Sequence, residues 1–421
     1  MNTFVLHGNI IHAPTLSELK LHPDSCVVCE NGVCAGVFEI LPERFSNLPV
    51  YDFGDMIIVP GYVDLHLHAP QYQNCGLGMD MELLDWLEAQ TFPTEARFAD
   101  ISYADAEYDR FVEDLLRSGT TRACVFGTVH KDSTILLMEK LEKSGLRSMV
   151  GKVSMDRNCP DDLREDSPSA ALACVETWLE ETLGRFSNAT PIITPRFVPT
   201  CSDELMEGLG AVAERYGLPV QSHLSENLSE IEWVLELCPD CPDYASVYDK
   251  YRLMGDRTIM AHCVHLTEAE MGIIHERGTY IAHCPTSNVN IRSGIAPVRR
   301  FLDRGLNVGL GTDVSGGHTL DMADVIRQAI GLSKLLWRLG SEELKPLKTS
   351  EAFYLATRGG GSFFGNVGAF EPGFEFDAVV VDDSDINTRS EQDLEKRFEK
   401  MIYLSSSRNV CAKFVAGRRL F

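Results

Sequence analysis

Ile57 to Gln71 read IIVPGYVDLHLHAPQ, an apolar run that ends in two histidines one residue apart. Ile57, Ile58, Val59, Val63 and Leu65 predict a buried strand, interrupted at Pro60-Gly61. Side chains alternate faces along a strand, so His66 and His68 point one way and Leu67 the other. Two imidazoles on one face at the end of a buried strand suit a shared metal ion. They also suit a hydrogen-bonded pair of core histidines, and three residues do not decide between the two.

Seven further apolar runs follow: TTRACVFGT, RSMVGKVSM, PIITPRFVP, LPVQSHLSE, TIMAHCVHL, TYIAHCPTS and NVGLGTDVS. Amphipathic segments lie between them, among them STILLMEKLEKSG, DELMEGLGAVAERYG and EAEMGIIHERG, several closing on a glycine as helices do at their C-termini. Eight strands alternating with helices predict an α/β fold, a closed parallel (β/α)8 barrel of the TIM type, with an open doubly wound sheet as the alternative. The two ends read differently, as short strands and hairpins. Residues 1–57 and 366–421 are therefore expected to form one small composite β-sandwich domain beside a barrel spanning 58–365.

In such barrels reactive groups sit where strands end and loops begin. The first run ends in His66 and His68, the fifth in His223 and Glu226, the sixth in His262 and the eighth in Asp313. Alone, each reads as a satisfied core or loop residue, and Asp313 as a helix cap. Together, three imidazoles and one carboxylate make a plausible zinc site with room for water. A metal lowers the pKa of a bound water, Asp313 can accept its proton, and Glu226 is free to protonate a leaving group. His262 is expected to act beside the metal shell rather than in it. His265 and His283 read as loop or outer-layer groups. This is the chemistry of hydrolysis or deamination.

PGYVDLHLHAPQ, SHLSEN, AHCVHL, HCPTSN and GTDVSGG together resemble the motifs of the amidohydrolase superfamily, in its mononuclear zinc deaminase branch. HLHAPQYQNCGLGMDMELLDWLEAQTFPTEARF, TPRFVPTCS and FGNVGAFEPGFEFDAVVVD are similar to its guanine-deaminating members, so the likeness runs over nearly the whole chain. The resemblance implies one zinc ion per chain on His66, His68, His223 and Asp313, with Glu226 as proton shuttle and Asp313 and His262 as its catalytic companions. It implies a purine recognised by Gln71, Arg196 and Phe197 and touched also by His68, His223, Glu226 and Asp313. Physics agrees with that set: a guanidinium offers donors to a purine carbonyl, an amide offers both donor and acceptor, and a ring can stack. The implied reaction is hydrolysis of guanine to xanthine and ammonia, at a carbon–nitrogen bond of a cyclic amidine, in a cytoplasmic homodimer of purine metabolism. Binuclear relatives carry a bridging lysine at the end of the fourth strand. PIITPRFVPT has none, and Lys152 in the third run is given no ligand role. The alternatives are action on another heterocycle, of thioadenosine or triazine type, and a non-enzymatic interaction protein, which is expected to have lost ligands that this chain keeps.

Composition sets outer bounds. The net charge of −24 argues against nucleic acid or an anionic membrane as partner. No secretory signal and no membrane-length apolar stretch is read in the sequence. The 13 cysteines are odd in number and scattered, which fits free thiols, and the spacings Cys26/Cys29 and Cys238/Cys241 read as structural rather than as a zinc ribbon.

Overall fold

The computed structural model describes residues 2–386 and 393–421. Eight parallel strands form its centre: β1 (Tyr62–His68), β2 (Thr120–Phe126), β3 (Arg147–Gly151), β4 (Ala189–Pro191), β5 (Val220–Leu224), β6 (Thr258–His262), β7 (Tyr280–His283) and β8 (Asn307–Leu310). β1 to β4 make one hydrogen-bonded run and β5 to β8 another. Two seams join the runs. Ile193, just past β4, bridges Val220 in parallel, and its carbonyl accepts the Gln221 N–H. On the far side the Asp313 N–H donates to the His66 carbonyl at 2.8 Å, and the His68 N–H donates to the Val314 carbonyl at 2.9 Å. The ring is closed, as the alternation of strands and helices predicts, and the open sheet is not formed.

Val63 and Leu65 of β1, Cys124 of β2, Ile259 and Ala261 of β6 and Ala282 of β7 form one buried cluster. Strands on opposite sides of a ring can share a cluster only through its interior, so the barrel is filled and its chemistry is confined to the ends. Helices cover the outside, including Ile101–Arg117, Lys131–Ser144, Asp203–Tyr216 and Glu268–Arg277. Three of these stop at glycines in the left-handed conformation, Gly145, Gly217 and Gly278, where the sequence placed their ends.

The apolar run that opens the sequence reading is two strands. Val50–Pro60 pairs in parallel with Phe4–Thr15 and antiparallel with Ala378–Val381, so the terminal sheet continues to Pro60, past the expected boundary at 57/58. β1 begins after Gly61, where a Cβ would stand 2.2 Å from Thr121. The terminal segments join in one seven-stranded sheet. That sheet curls until its ends meet: the Phe376 N–H donates to the Gly32 carbonyl at 2.9 Å, and a Cβ on Gly417 would fall 2.5 Å from the Gly32 Cα. The rings of Phe4, Phe376 and Phe414 fill the space inside the curl.

All thirteen cysteines are free thiols, and no described helix is long and apolar enough to cross a membrane. Buried charge fastens the curled sheet to the barrel. Arg122 of β2 donates from Nε to Asp377 at 2.7 Å and from Nη2 to Glu375 at 2.6 Å, with Asp377 wholly shielded from solvent. Lys413, equally buried, donates to the carbonyls of Leu116 and Thr120. Removing one partner of a buried ion pair strands the other charge, so Arg122→Ala is expected to destabilise the protein by about 3–5 kcal/mol. The urea unfolding midpoint of the variant measures this; an unchanged midpoint means the sheet is held by its apolar contacts alone.

Candidate active site

At the C-terminal end of the barrel the polar strand-end residues converge. His66 and His68 share one face of β1, with their Nε2 atoms 3.3 Å apart. His68 Nε2 is also 3.2 Å from His223 Nε2, at the end of β5. Asp313, just past β8, brings Oδ1 to 3.1 Å from His66 Nε2 and 3.4 Å from His68 Nε2. The His223 Nδ1–H donates to the Arg196 carbonyl at 2.6 Å, which leaves its Nε2 a bare lone pair aimed at another ring nitrogen. Atoms 3.1–3.4 Å apart can each lie about 2 Å from one shared ion, the bond length of zinc to nitrogen and oxygen ligands. His66, His68 and His223, with Asp313 against the first two, therefore suit a divalent metal in donor type.

His262, at the end of β6, stands beside this set. Its Nδ1–H donates to Asn288 Oδ1 at 2.9 Å, so Nε2 faces Glu226 Oε2 at 3.3 Å and Asp313 Oδ2 at 3.7 Å. Burial lowers the His262 pKa to about 4, which keeps the ring neutral. Glu226 is held by its backbone N–H on Glu230 and by the Ser293 hydroxyl, which donates to Oε1 at 3.3 Å. Burial, then the charges of Asp313 and Glu230, push the Glu226 carboxyl well above the usual range. Burial pushes Asp313 the same way, but attraction and a hydrogen bond from His66, with His262 and His68 behind them, bring it well below. Two neighbouring carboxyls are thus driven apart, the pattern that separates a proton donor from an acceptor.

His223, Glu226, His262 and Asp313 line a pocket together with Arg196 and an apolar surround of Leu83, Trp86, Leu87, Phe197 and Ile291. Gln71 is buried outside that wall: its Nε2 donates to Glu95 at 2.8 Å and its Oε1 accepts the Ser315 N–H at 3.4 Å. Lys152 is taken up by an ion pair with Glu165, and His265 bonds to the Ser293 carbonyl. His283 is buried next to the site, with no partner for Nδ1 among the described residues.

Four contributors escape the sequence reading. Asn288 fixes the tautomer of His262, Glu95 bonds to both Arg196 and Gln71, and the segment carrying Leu83, Trp86 and Leu87 roofs the pocket. Asp64 is the fourth. Its Oδ1 accepts the His66 and Thr312 N–H groups at 3.2 and 3.0 Å, and its Oδ2 accepts the Thr312 hydroxyl at 2.5 Å. It shares strand parity with His66 and His68, which is the one signal that could have found it.

Asp64 thereby ties β1 to the residue before Asp313 and sets the gap between metal-binding groups. Groups that orient ligands typically contribute ~10–100-fold to metal affinity, so Asp64→Ala is expected to lose metal to a chelator by about that factor while keeping its circular dichroism spectrum. Unchanged affinity means strand pairing alone holds the ligands in place.

Comparison with known proteins agrees with this geometry. The amidohydrolase family profile matches residues 57–420. The guanine deaminase of Dictyostelium discoideum is 36% identical, covering 98% of this chain and 97% of its own length. That of Escherichia coli K12 is 38% identical over 89% and 85% of the two chains. A crystal structure of guanine deaminase from C. acetobutylicum with guanine in its active site superposes with a TM-score of 0.97, at 47% identity and full coverage of both chains. With a closed barrel, a strand-end histidine–aspartate cluster and this similarity over nearly its full length, the chain belongs to the amidohydrolase family.

Proposed function

We propose that the protein hydrolyses guanine to xanthine and ammonia, using one zinc ion per chain held by His66, His68, His223 and Asp313. The observation that carries this reading is the meeting, at one pocket, of His223 and Asp313 from a cluster of metal-binding side chains with His66 and His68 behind them, a carboxyl at Glu226, and the guanidinium of Arg196. The guanine deaminases similar to this chain over nearly its whole length support the choice of substrate. When bound, zinc supplies water activation near neutral pH and charge stabilisation at the reacting carbon.

The side chains do the rest. Arg196 binds the purine carbonyl, and Phe197 and the apolar roof hold the ring plane and exclude water. Asp313 accepts the proton of the attacking water. Glu226 gives its proton to a ring nitrogen next to C2, takes up the remaining proton of the oxygen that has added there and passes it to the amino group, so that the carbonyl forms and the C2–N bond breaks with ammonia as the leaving group; the proton held by Asp313 then restores Glu226. His262 steadies the oxygen that adds to C2 and keeps Glu226 in reach. Glu230, Ser293 and Asn288, together with the contact between Glu226 and His262 themselves, hold both in one orientation before substrate arrives. The reading extends to a cytoplasmic homodimer acting in purine metabolism, an extension that rests on the family resemblance.

Elemental analysis of purified protein is expected to give about one zinc per chain, as one set of four ligands requires; two equivalents, or full activity with none, overturn the mononuclear site. Glu226→Gln keeps size and polarity but cannot carry a proton. It is expected to retain zinc and bind guanine normally while turnover falls by ~10²–10⁴-fold, the usual worth of general acid–base help. Near-normal turnover removes Glu226 from the mechanism, and lost zinc makes it a ligand.

A further inference from the structure

Glu95 sits in the short helix Phe92–Ala96 and is 1% exposed. One of its carboxylate oxygens accepts the Gln71 Nε2–H at 2.8 Å, and the other accepts the Arg196 Nη1–H at 2.6 Å. Both partners are buried as well, and the Phe92 ring lies 5.1 Å from the guanidinium carbon. A carboxylate can only accept, so Gln71 must turn its nitrogen to Glu95 and its oxygen to the Ser315 N–H. One donor of Arg196 is occupied, and the remainder of its planar fork is left for a ligand. The pair also brings no net charge to a pocket whose surround is apolar. The other ionisable groups lining that pocket, His223, Glu226, His262 and Asp313, are engaged with one another and with backbone at the metal-binding end.

We propose that Glu95 is the positioning and charge-balancing residue for substrate recognition: it orients Arg196 and Gln71 and cancels the guanidinium charge, so that the pocket takes a neutral oxopurine and lets its more acidic product go. The assignment rests on the guanine reading above. Deamination replaces an electron-donating amino group with a second carbonyl, so xanthine ionises more readily than guanine. An unbalanced guanidinium in a dry pocket attracts that anion strongly, whereas the Glu95–Arg196 pair does not. Glu95 touches neither substrate nor metal ligand; it acts through Arg196 and Gln71.

The test compares wild type, Glu95→Gln and Glu95→Asp in guanine kinetics and in xanthine binding by titration calorimetry across neutral to alkaline pH, with zinc content and melting temperature recorded for each. Glu95→Gln is expected to raise KM for guanine by at least about tenfold, with a smaller change in kcat, since the pre-set orientation of the Arg196 donors is lost. It is also expected to bind xanthine more tightly than wild type does, the gain widening as pH rises and xanthine ionises. Glu95→Asp keeps the charge but shortens the reach, so guanine KM rises while xanthine affinity follows wild type. Xanthine affinity in Glu95→Gln equal to wild type at every pH overturns the charge role, and an unchanged KM overturns the positioning role. Loss of zinc or of the folded state in both variants assigns Glu95 to the fold and overturns the proposal as well. A wild-type protein that leaves guanine intact sinks the activity reading by itself; active wild type with Glu95→Gln unchanged in both readouts sinks only the role of Glu95.

Discussion

Asp313 meets His66 and His68 because its own backbone N–H is bonded to the His66 carbonyl, across the seam where β8 comes round to β1. A closed ring puts the first and last strands side by side, and an open sheet of the same strands holds them at opposite edges. Ligands from the two ends of the barrel can therefore share one point only if the ring closes. Asp64 reinforces the seam from below with its bonds to Thr312. Small residues let it close tightly: a Cβ on Gly309 would fall 2.6 Å from Leu65, and one on Gly311 would fall 2.9 Å from His66. Side chains at either position would push β8 away and widen the ligand set.

The mouth of the barrel is also where the backbone departs from its comfortable conformations. Ser225, His262, Cys263 and Asp313 all have positive φ, between 46° and 70°, though none is glycine. Such residues cost of order 1–3 kcal/mol each and persist only where the surroundings over-determine them. Here the surroundings do so: the Cys263 N–H is bonded to Leu224 and the Gly317 N–H to Asp313. The chain spends conformational energy to turn polar side chains inward at the ends of strands whose ordinary geometry would carry them on past the site.

His66, His68, His223, His262, Asp313 and Arg196 were legible because each is a polar residue closing an apolar run, and a parallel barrel converts that linear pattern into convergence at one end. Glu95 and the Leu83–Leu87 segment carry no such mark. They come from the long connection between β1 and the first outer helix, whose path depends on tertiary contacts. Asp64 was visible as a polar residue on the strand, yet its bond to Thr312 exists only after closure. The break at Pro60-Gly61 was seen, but the run was read as one strand because both halves are apolar. Pairing with Phe4–Thr15 and Ala378–Val381 places the first half in a different sheet. The sandwich expected from the termini is built from one sheet curled around its own apolar core, and the curl is not legible because alternation along a strand reports which faces are buried and not how far a sheet bends.

Val50–Pro60 leads through Gly61 directly into the strand that carries His66 and His68, and its neighbour on one side is a strand from the far end of the polypeptide. On a ribosome, that neighbour emerges only after the whole barrel has been made. Until it emerges, one edge of Val50–Pro60 stays open and the Arg122 side chain has no Asp377 to meet. Pairings between distant parts of a chain are slow to form, and exposed edges in the interval invite association with other chains. The sheet begun before the barrel is thus completed after it, and a chain cut short at the end of the barrel would leave one edge of Val50–Pro60 open although every metal-binding residue had already been made.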